Sequence, residues 1–304
     1  MRHSDQRRFS RPAPRNPDEE RFKSGVAIDP CPRVRLEDGS KELTMRAMDL
    51  ITPIGLGQRG LIVAPPGSGK TTFLKHILQA LPKAAPTAKL YCLLVDERPE
   101  EVTDFKRSVS AEVHWSSSDD SHENHIRVAD TLMRQAMREA GSGKDVIVVI
   151  DSLTRLARVH NSQSNSGGRT LSGGVDARAM EVPRRIFGTA RKIENGGSLT
   201  ILATILIDTG SRMDQVIFEE FKGTGNMEIV LSREIASQRV YPAVDVSKSG
   251  TRREELLIPT EELQQVRKIR RMFAGMSAVE AAKSLVSMLE KYPTNKDILN
   301  AVPK

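Results

Sequence analysis

Residues 60–72 read GLIVAPPGSGKTT, a short apolar run that breaks into a Pro/Gly loop and then into residues of good helix propensity. Small residues let successive backbone N–H groups turn inward around phosphate oxygens, and a helix N-terminus just beyond adds partial positive charge. Strand, glycine loop and helix in that order make a phosphate-binding P-loop. Lys70 then neutralises the terminal phosphates of ATP and Thr71 offers its hydroxyl to Mg²⁺. Pro66, Gly67, Ser68, Gly69 and Thr72 complete the nucleotide contacts. Ala64 stands where the usual motif has its first glycine, whereas Gly69, Lys70 and Thr71 fit.

Outward from the loop, apolar runs alternate with amphipathic stretches over residues 56–258, the pattern of a parallel sheet in an α/β domain. The strands fall at 60–64, 89–95, 145–150, 198–206 and 226–232, with helices notably at 69–81, 122–140 and 175–194. From about residue 259 the period is helical throughout, in TEELQQVRKIRRMF and SAVEAAKSLVSMLEKY. Residues 25–55 read as a lead-in segment packed on the core. Residues 1–24, rich in Arg, Pro and Ser with almost no aliphatic side chains, read as a disordered basic tail.

Ligands of such sheets bind at the C-terminal edges of the strands, so the strand ends matter most. The 89–95 run leads into Asp96, Glu97, Arg98 and Pro99, and Glu97 is placed to polarise an attacking water. Its other reading is a cap for the segment that starts at Pro99. The 145–150 run ends at Asp151, an acidic residue positioned to support the Mg²⁺ shell.

Composition fits a cytoplasmic enzyme. The chain has 304 residues, 38% hydrophobic and 28% charged, with no apolar run of membrane-spanning length. Cys31 and Cys92 lack metal-ligand spacing, which points to a reducing compartment. The basic start lacks the apolar core of a signal peptide. Forty-six Lys and Arg against 39 Asp and Glu leave a net charge of +7, which suits an anionic partner as well as a merely basic surface.

Six longer stretches carry a resemblance that the P-loop alone does not. GQRGLIVAPPGSGKTT, LLVDERPEEVTDF, DVIVVIDSLTRLARVHN, LSGGVDARAM, GSLTILATILIDTGSRMDQVIFEEFKGTGNMEIVLSR and RVYPAVDVSKSGTRREELL run from residue 57 to about 270 without a major gap. In these the chain resembles the motor domain of bacterial transcription termination factor Rho, a hexameric RecA-like RNA helicase. The resemblance implies a RecA-like fold that couples ATP hydrolysis in a homo-oligomeric ring to movement on RNA and release of transcripts. RNA polymerase and accessory transcription factors are the wider partners it implies. It makes Glu97 the catalytic base, Lys70 and Thr71 the phosphate and Mg²⁺ residues, and Asp151 the second metal partner. Arg252 becomes an arginine finger reaching a neighbouring subunit, and Arg239 a second phosphate-side cation. Tyr241 becomes the ring stacked on adenine, with a buried core tyrosine as the other reading.

Two loops look like RNA-handling elements on the same basis. One spans residues 168–178, with Gly173, Gly174 and Val175; the other spans 207–213, with Gly210, Ser211 and a basic tip at Arg212, where the family often has lysine. Each also reads as a surface turn. Loops of this kind hold sugar and phosphate, so base specificity is expected to be low. Residues 1–55 are too few for the helical subdomain and OB-fold with which Rho proteins load RNA, so the chain reads as a motor without that module. Arg2, Arg7, Arg8, Arg11 and Arg15, facing Asp5 alone, could attract RNA nonspecifically or form a solvated tail. Two alternative functions remain: a RecA-type ATPase acting on protein or DNA, and a nucleic-acid-binding regulator that uses ATP only to assemble.

Overall fold

The computed structural model describes residues 16–163 and 172–302. Helix α1 (Pro17–Ser24) is followed by strands β1 (Ala27–Ile28) and β2 (Arg33–Val34), helices α2 (Leu36–Gly39) and α3 (Leu43–Ile51), and strand β3 (Ile54–Gly55). The alternating part then runs β4 (Arg59–Ala64), α4 (Lys70–Ala84), β5 (Lys89–Glu97), α5 (Pro99–Ser108), β6 (Glu112–Ser117), α6 (His122–Gly141), β7 (Asp145–Asp151) and α7 (Leu153–Gln163). Beyond it come α8 (Glu181–Gly188), β8 (Arg191–Ile193), β9 (Ser198–Leu206), α9 (Arg212–Phe221), β10 (Met227–Val230), α10 (Arg233–Ser237) and β11 (Gly250–Thr251). The helices α11 (Thr260–Phe273), α12 (Ala278–Lys291) and α13 (Asn295–Ala301) finish the chain.

The main sheet has the order β11-β10-β4-β9-β7-β5-β6, with β8 and β1 added along the start of β9. The run from β10 to β6 is parallel, while β11, β8 and β1 pair antiparallel. Strand alternation divides the core between the two faces. Leu61, Val63, Val146, Val148 and Ile150 meet α6, α7 and α9, whereas Ile62, Ala64, Ile147 and Val149 meet α3, α4 and α5. These strands are apolar on both sides because both faces are covered, the condition that parallel sheets require. The α/β fold and the five expected strands are therefore present, β9 with the expected ends and the other four with ends shifted by one or two residues.

Two expectations are corrected. The disordered reading of residues 1–24 fails for its last eight: Asn16 caps α1 through its side chain, and Phe22 is buried in the core. A Cβ on Gly141 would stand 1.8 Å from the carbonyl oxygen of Asp18, so only glycine lets α1 lie this close to α6. The five-arginine arm, Arg2 to Arg15, lies outside the described residues. The helix expected over 175–194 is confined to α8 and gives way to β8. There the Asn195-Gly196-Gly197 turn folds β8 back on β9, with the Ile193 N–H donating to Gly197 O at 3.0 Å. Finally, β6 was not anticipated, since an edge strand reading EVHWSS has no apolar run to mark it.

The lead-in does pack on the core, through Met45 and Met48, and its helix α3 also closes a second apolar cluster with α11, α12 and α13. No helix among the described residues is long and apolar enough to cross a membrane.

Candidate active site

Between β4 and α4 the chain turns through Pro65 to Gly69, with φ at +76° for Gly67 and +88° for Gly69, values that favour residues without a Cβ. The Ser68 hydroxyl donates to Pro65 O at 2.8 Å and tightens the turn. Lys70 opens α4, so the orphan N–H groups of the first helical turn face the loop. Ala64 needs no glycine here because it is still strand, paired with Leu206 on β9.

The two strand-end acids converge on this loop. Lys70 Nζ forms an ion pair with Asp151 Oδ2, and Asp151 Oδ1 accepts from the Thr204 hydroxyl at 2.7 Å. Glu97, only 1% exposed, is ion-paired with Arg155 at 3.0 Å and accepts from the Arg98 N–H at 3.2 Å, both on Oε1. Its Oε2 is buried without a hydrogen-bond partner. Burial, followed by the charge of Asp151, raises the Glu97 carboxyl above its usual pKa, against the pull of Arg155 and Lys70. The Thr71 hydroxyl reaches Glu101 Oε2 at 3.5 Å. Among the described residues, no three His, Cys, Asp or Glu side chains converge as a metal cage. One hydroxyl and one carboxylate beside a lysine suit a cation that takes its other ligands from phosphate and water, as Mg²⁺ does.

Tyr241 is 47% exposed, which removes the core-tyrosine reading. Its ring flanks the loop: a Cβ on Gly69 would lie 3.6 Å from Tyr241 Cε1. Arg239, exposed and at φ +59°, shares this segment at the same sheet edge, where Leu231 bridges to Val244.

Arg252 lies at the other end of the sheet. Its N–H donates to Asn226 O at 2.9 Å, and the Asn226 side chain accepts from the N–H of Arg59, the first residue of β4. Arg59 is held below its usual pKa by burial, then by the charges of Arg191 and Arg252. The loop follows the last residue of β4, roughly 17 Å along the strand at about 3.3 Å per residue. Arg252 and Lys70 of one chain therefore face opposite ends of the same strand.

The described parts of the two candidate RNA loops touch each other. Gly173 (φ +78°) and Gly174 (φ +77°) form a single 3₁₀ turn with Ser172, and a Cβ on Gly173 would meet Arg212 O at 3.0 Å. Arg212 is exposed at the start of α9, Ser211 caps that helix, and Gly210 takes φ +78°. Val175 is corrected: it is fully buried in the core, so its side chain cannot meet a polymer. Residues 168–171 of the first loop lie outside the described residues.

Residues not singled out in the sequence tie these parts together. Along one side of α7, Arg155 holds Glu97. Three residues on, Arg158 grips buried Asp214 with bonds of 2.7 and 2.5 Å, and Thr209 donates to the same carboxylate at 2.6 Å. After three more, Asn161 donates to Gly174 O at 3.0 Å and accepts from the Asp176 N–H at 2.7 Å. The i, i+3 spacing of Arg, Arg and Asn in LTRLARVHN was the available signal. Thr204 and Glu101 gave none, since a threonine in an apolar strand or a glutamate in a first helical turn is commonplace.

Comparison with known proteins places this arrangement. The family described as "ATP synthase alpha/beta family, nucleotide-binding domain" matches residues 44–251. Transcription termination factor Rho of Micrococcus luteus is 49% identical over 293 residues, covering 96% of this chain and 42% of that protein. Its counterpart in Bacillus subtilis is 51% identical over 282 residues, covering 92% of this chain and 66% of that protein. The resemblance to Rho is thus borne out, while the chain spans less than two thirds of the length of these relatives. The assembled ATPase EscN of the enteropathogenic E. coli type III secretion system shares the fold, with a TM-score of 0.71 at 21% identity over 91% of this chain and 71% of that one. The match over the P-loop, both strand-end acids and the edge strand β11 shows that the chain belongs to the ATP synthase alpha/beta family, through its nucleotide-binding domain.

Proposed function

We propose that this chain is the motor of an ATP-driven RNA translocase of the Rho type, hydrolysing ATP at sites shared between copies in a ring and acting in the cytoplasm on transcripts held by RNA polymerase and its accessory factors. The observation that carries the reading is the side of α7 that joins the buried carboxylate Glu97 to both glycine loops. Half identity with Rho factors over nearly the whole chain supports it.

In this reading the terminal phosphates of ATP take the place of Asp151 at Lys70, and the N–H groups of the loop and of the first turn of α4 hold their oxygens. Thr71 and Asp151 would hold Mg²⁺, which spreads the charge of the phosphates. Tyr241 offers its exposed ring to the adenine. Glu97 Oε2, kept free while Oε1 is tied, accepts a proton from the attacking water. Arg252 of a second copy neutralises the charge that spreads over the transferred group, an effect of about 10³-fold or more. Arg212, Gly210 and Gly174 face the polymer through a cation and open backbone, with Gly173 packed against the start of α9 behind them, which favours phosphate contacts over base reading.

ATP turnover measured with RNA, with single-stranded DNA of equal length and with no polymer tests the reading, in the wild-type chain and in Lys70→Ala. RNA is expected to raise turnover well above DNA, and Lys70→Ala to lower it by more than about tenfold. Equal rates in all three conditions would remove the RNA motor. Near-wild-type turnover in Lys70→Ala would remove the site.

A further inference from the structure

The shared site requires two copies to meet with the Arg252 end of one sheet against the Lys70 end of the other. What flanks each half is therefore brought into the same contact. On the Arg252 side that element is α11, because Arg270 donates from Nη1 to Ser249 O at 3.1 Å and from Nη2 to Ile51 O, seating the helix behind β11. On the Lys70 side it is α5, which begins two residues after Glu97 and is tied to α4 by Thr71 to Glu101 and by the Lys75–Asp104 ion pair.

The later part of α11 and the start of α5 carry opposite charge, whereas α11 begins with Glu261 and Glu262 and α5 ends with Lys106 and Arg107. A cavity of about 560 Å³ on α11 is lined by Gln264, Arg267, Lys268, Arg270 and Arg271, with no carboxylate. Arg267 and Arg271, one turn apart, are exposed, and neither enters an ion pair among the described residues. Met272 beside them is 53% exposed. The first turn of α5 presents Glu100 and Glu101, with Asp104, which also pairs with Lys75, one turn further on, and the ammonium of Lys106 is folded over the ring of Trp115, 2.9 Å from its centroid. Trp115 is 42% exposed on the edge strand β6. Arginine, methionine and tryptophan are the side chains enriched at protein interfaces, and complementary charge fixes which faces meet.

We propose that the basic face of α11, through Arg267 and Arg271, docks on the acidic start of α5, through Glu100 and Asp104, in the next copy of this chain. Met272 and Trp115 form the apolar part of the same contact. The proposal rests on the shared-site reading, and it assigns the surfaces that bring Arg252 into register with the neighbouring loop.

The test is assembly of the full chain, followed by light scattering against concentration in the presence of ATP and RNA. Arg267→Glu/Arg271→Glu is expected to raise the midpoint concentration for assembly by at least about tenfold. Glu100→Lys/Asp104→Lys is expected to do the same, and all four changes in one chain to restore assembly to within about threefold of wild type. A reversal chain that assembles like wild type overturns the proposal, and so does a folded four-change chain that fails to recover. Should a reversal chain unfold, Arg267→Gln/Arg271→Gln is measured by the same criterion. A wild-type chain that stays single under all conditions contradicts the shared site itself, an outcome distinct from the other two.

Discussion

The Arg155 guanidinium holds the strand end at two consecutive residues, with Nη2 at 3.0 Å from Glu97 Oε1 and Nη1 donating to the Asp96 carbonyl. One carboxylate oxygen of Glu97 is thereby fixed, and the other is left buried and open. That asymmetry is what a general base needs: an oriented group with a free lone pair and a raised pKa.

Glu97→Gln keeps the shape and removes the proposed base. Turnover is expected to fall by about 10²–10⁴, with nucleotide affinity within about threefold of wild type. Single-turnover kinetics beside equilibrium nucleotide binding check this. A parallel loss of affinity would make Glu97 a binding residue instead.

Arg155→Met tests the electrostatics. Burial and the charge of Asp151 raise the Glu97 pKa, while Arg155 lowers it. Removing the cation therefore moves the pKa further up. The proposed base works as the ionised carboxylate, so activity is expected to be lost as pH falls through that pKa, and the acid limb of kcat/KM should shift to higher pH. An unmoved limb with reduced kcat would assign Arg155 a purely structural role.

Arg158→Ala separates chemistry from its response to polymer. Arg158 touches neither Glu97 nor the phosphate loop, but it pairs with buried Asp214, which also holds Thr209 of the second glycine loop. Turnover without RNA is expected to stay within about threefold, while stimulation by RNA is mostly lost. Leaving Asp214 without its cation, with only Thr209 still donating to it, also costs stability, up to about 3 kcal/mol for a buried acid whose charged partner is partly exposed. Thermal unfolding measures that part, and retained stimulation by RNA would remove α7 from the coupling.

Asp49 makes the stability of the lead-in dependent on pH. It accepts from the N–H groups of Leu36 at 3.0 Å and Glu37 at 2.8 Å, yet burial dominates and pushes its pKa from 3.8 to about 6. A carboxyl with a raised folded-state pKa adds stability below its unfolded value and loses it as pH rises through the folded one. The gap corresponds to about 3 kcal/mol. Asp49→Asn cannot ionise, so its stability relative to wild type should improve by about that amount between pH 4 and pH 7. Denaturant unfolding at several pH values checks it, and a constant difference would contradict it.

The phosphate loop and its strand ends were legible because the chemistry of phosphate binding needs small residues and one lysine in a fixed order, and because both faces of a parallel sheet demand apolar runs. Glu97 and Asp151 could be placed by their position just past such runs. What the sequence hid depends on partners distant along the chain. Phe22 looks like part of a polar tail until Gly141 admits α1 against α6, and β8 is hidden by its three residues and its antiparallel turn. Val175 sits beside two glycines in a loop-like stretch, and only packing shows that it points inward. Arg155 and Arg158 read as the polar side of a helix until Glu97 and Asp214 are seen opposite them.

The central claim is a site built from two chains, since Arg252 and Lys70 stand at opposite ends of β4. Mixing Arg252→Ala chains with Lys70→Ala chains, each inactive alone, and measuring RNA-stimulated ATP turnover of the mixed assembly tests it most directly. Every interface that joins an intact phosphate loop to an intact Arg252 should work, so turnover is expected to reappear, at roughly a quarter of the wild-type rate for random mixing with independent sites. No recovery in assemblies shown to contain both chains would contradict the account.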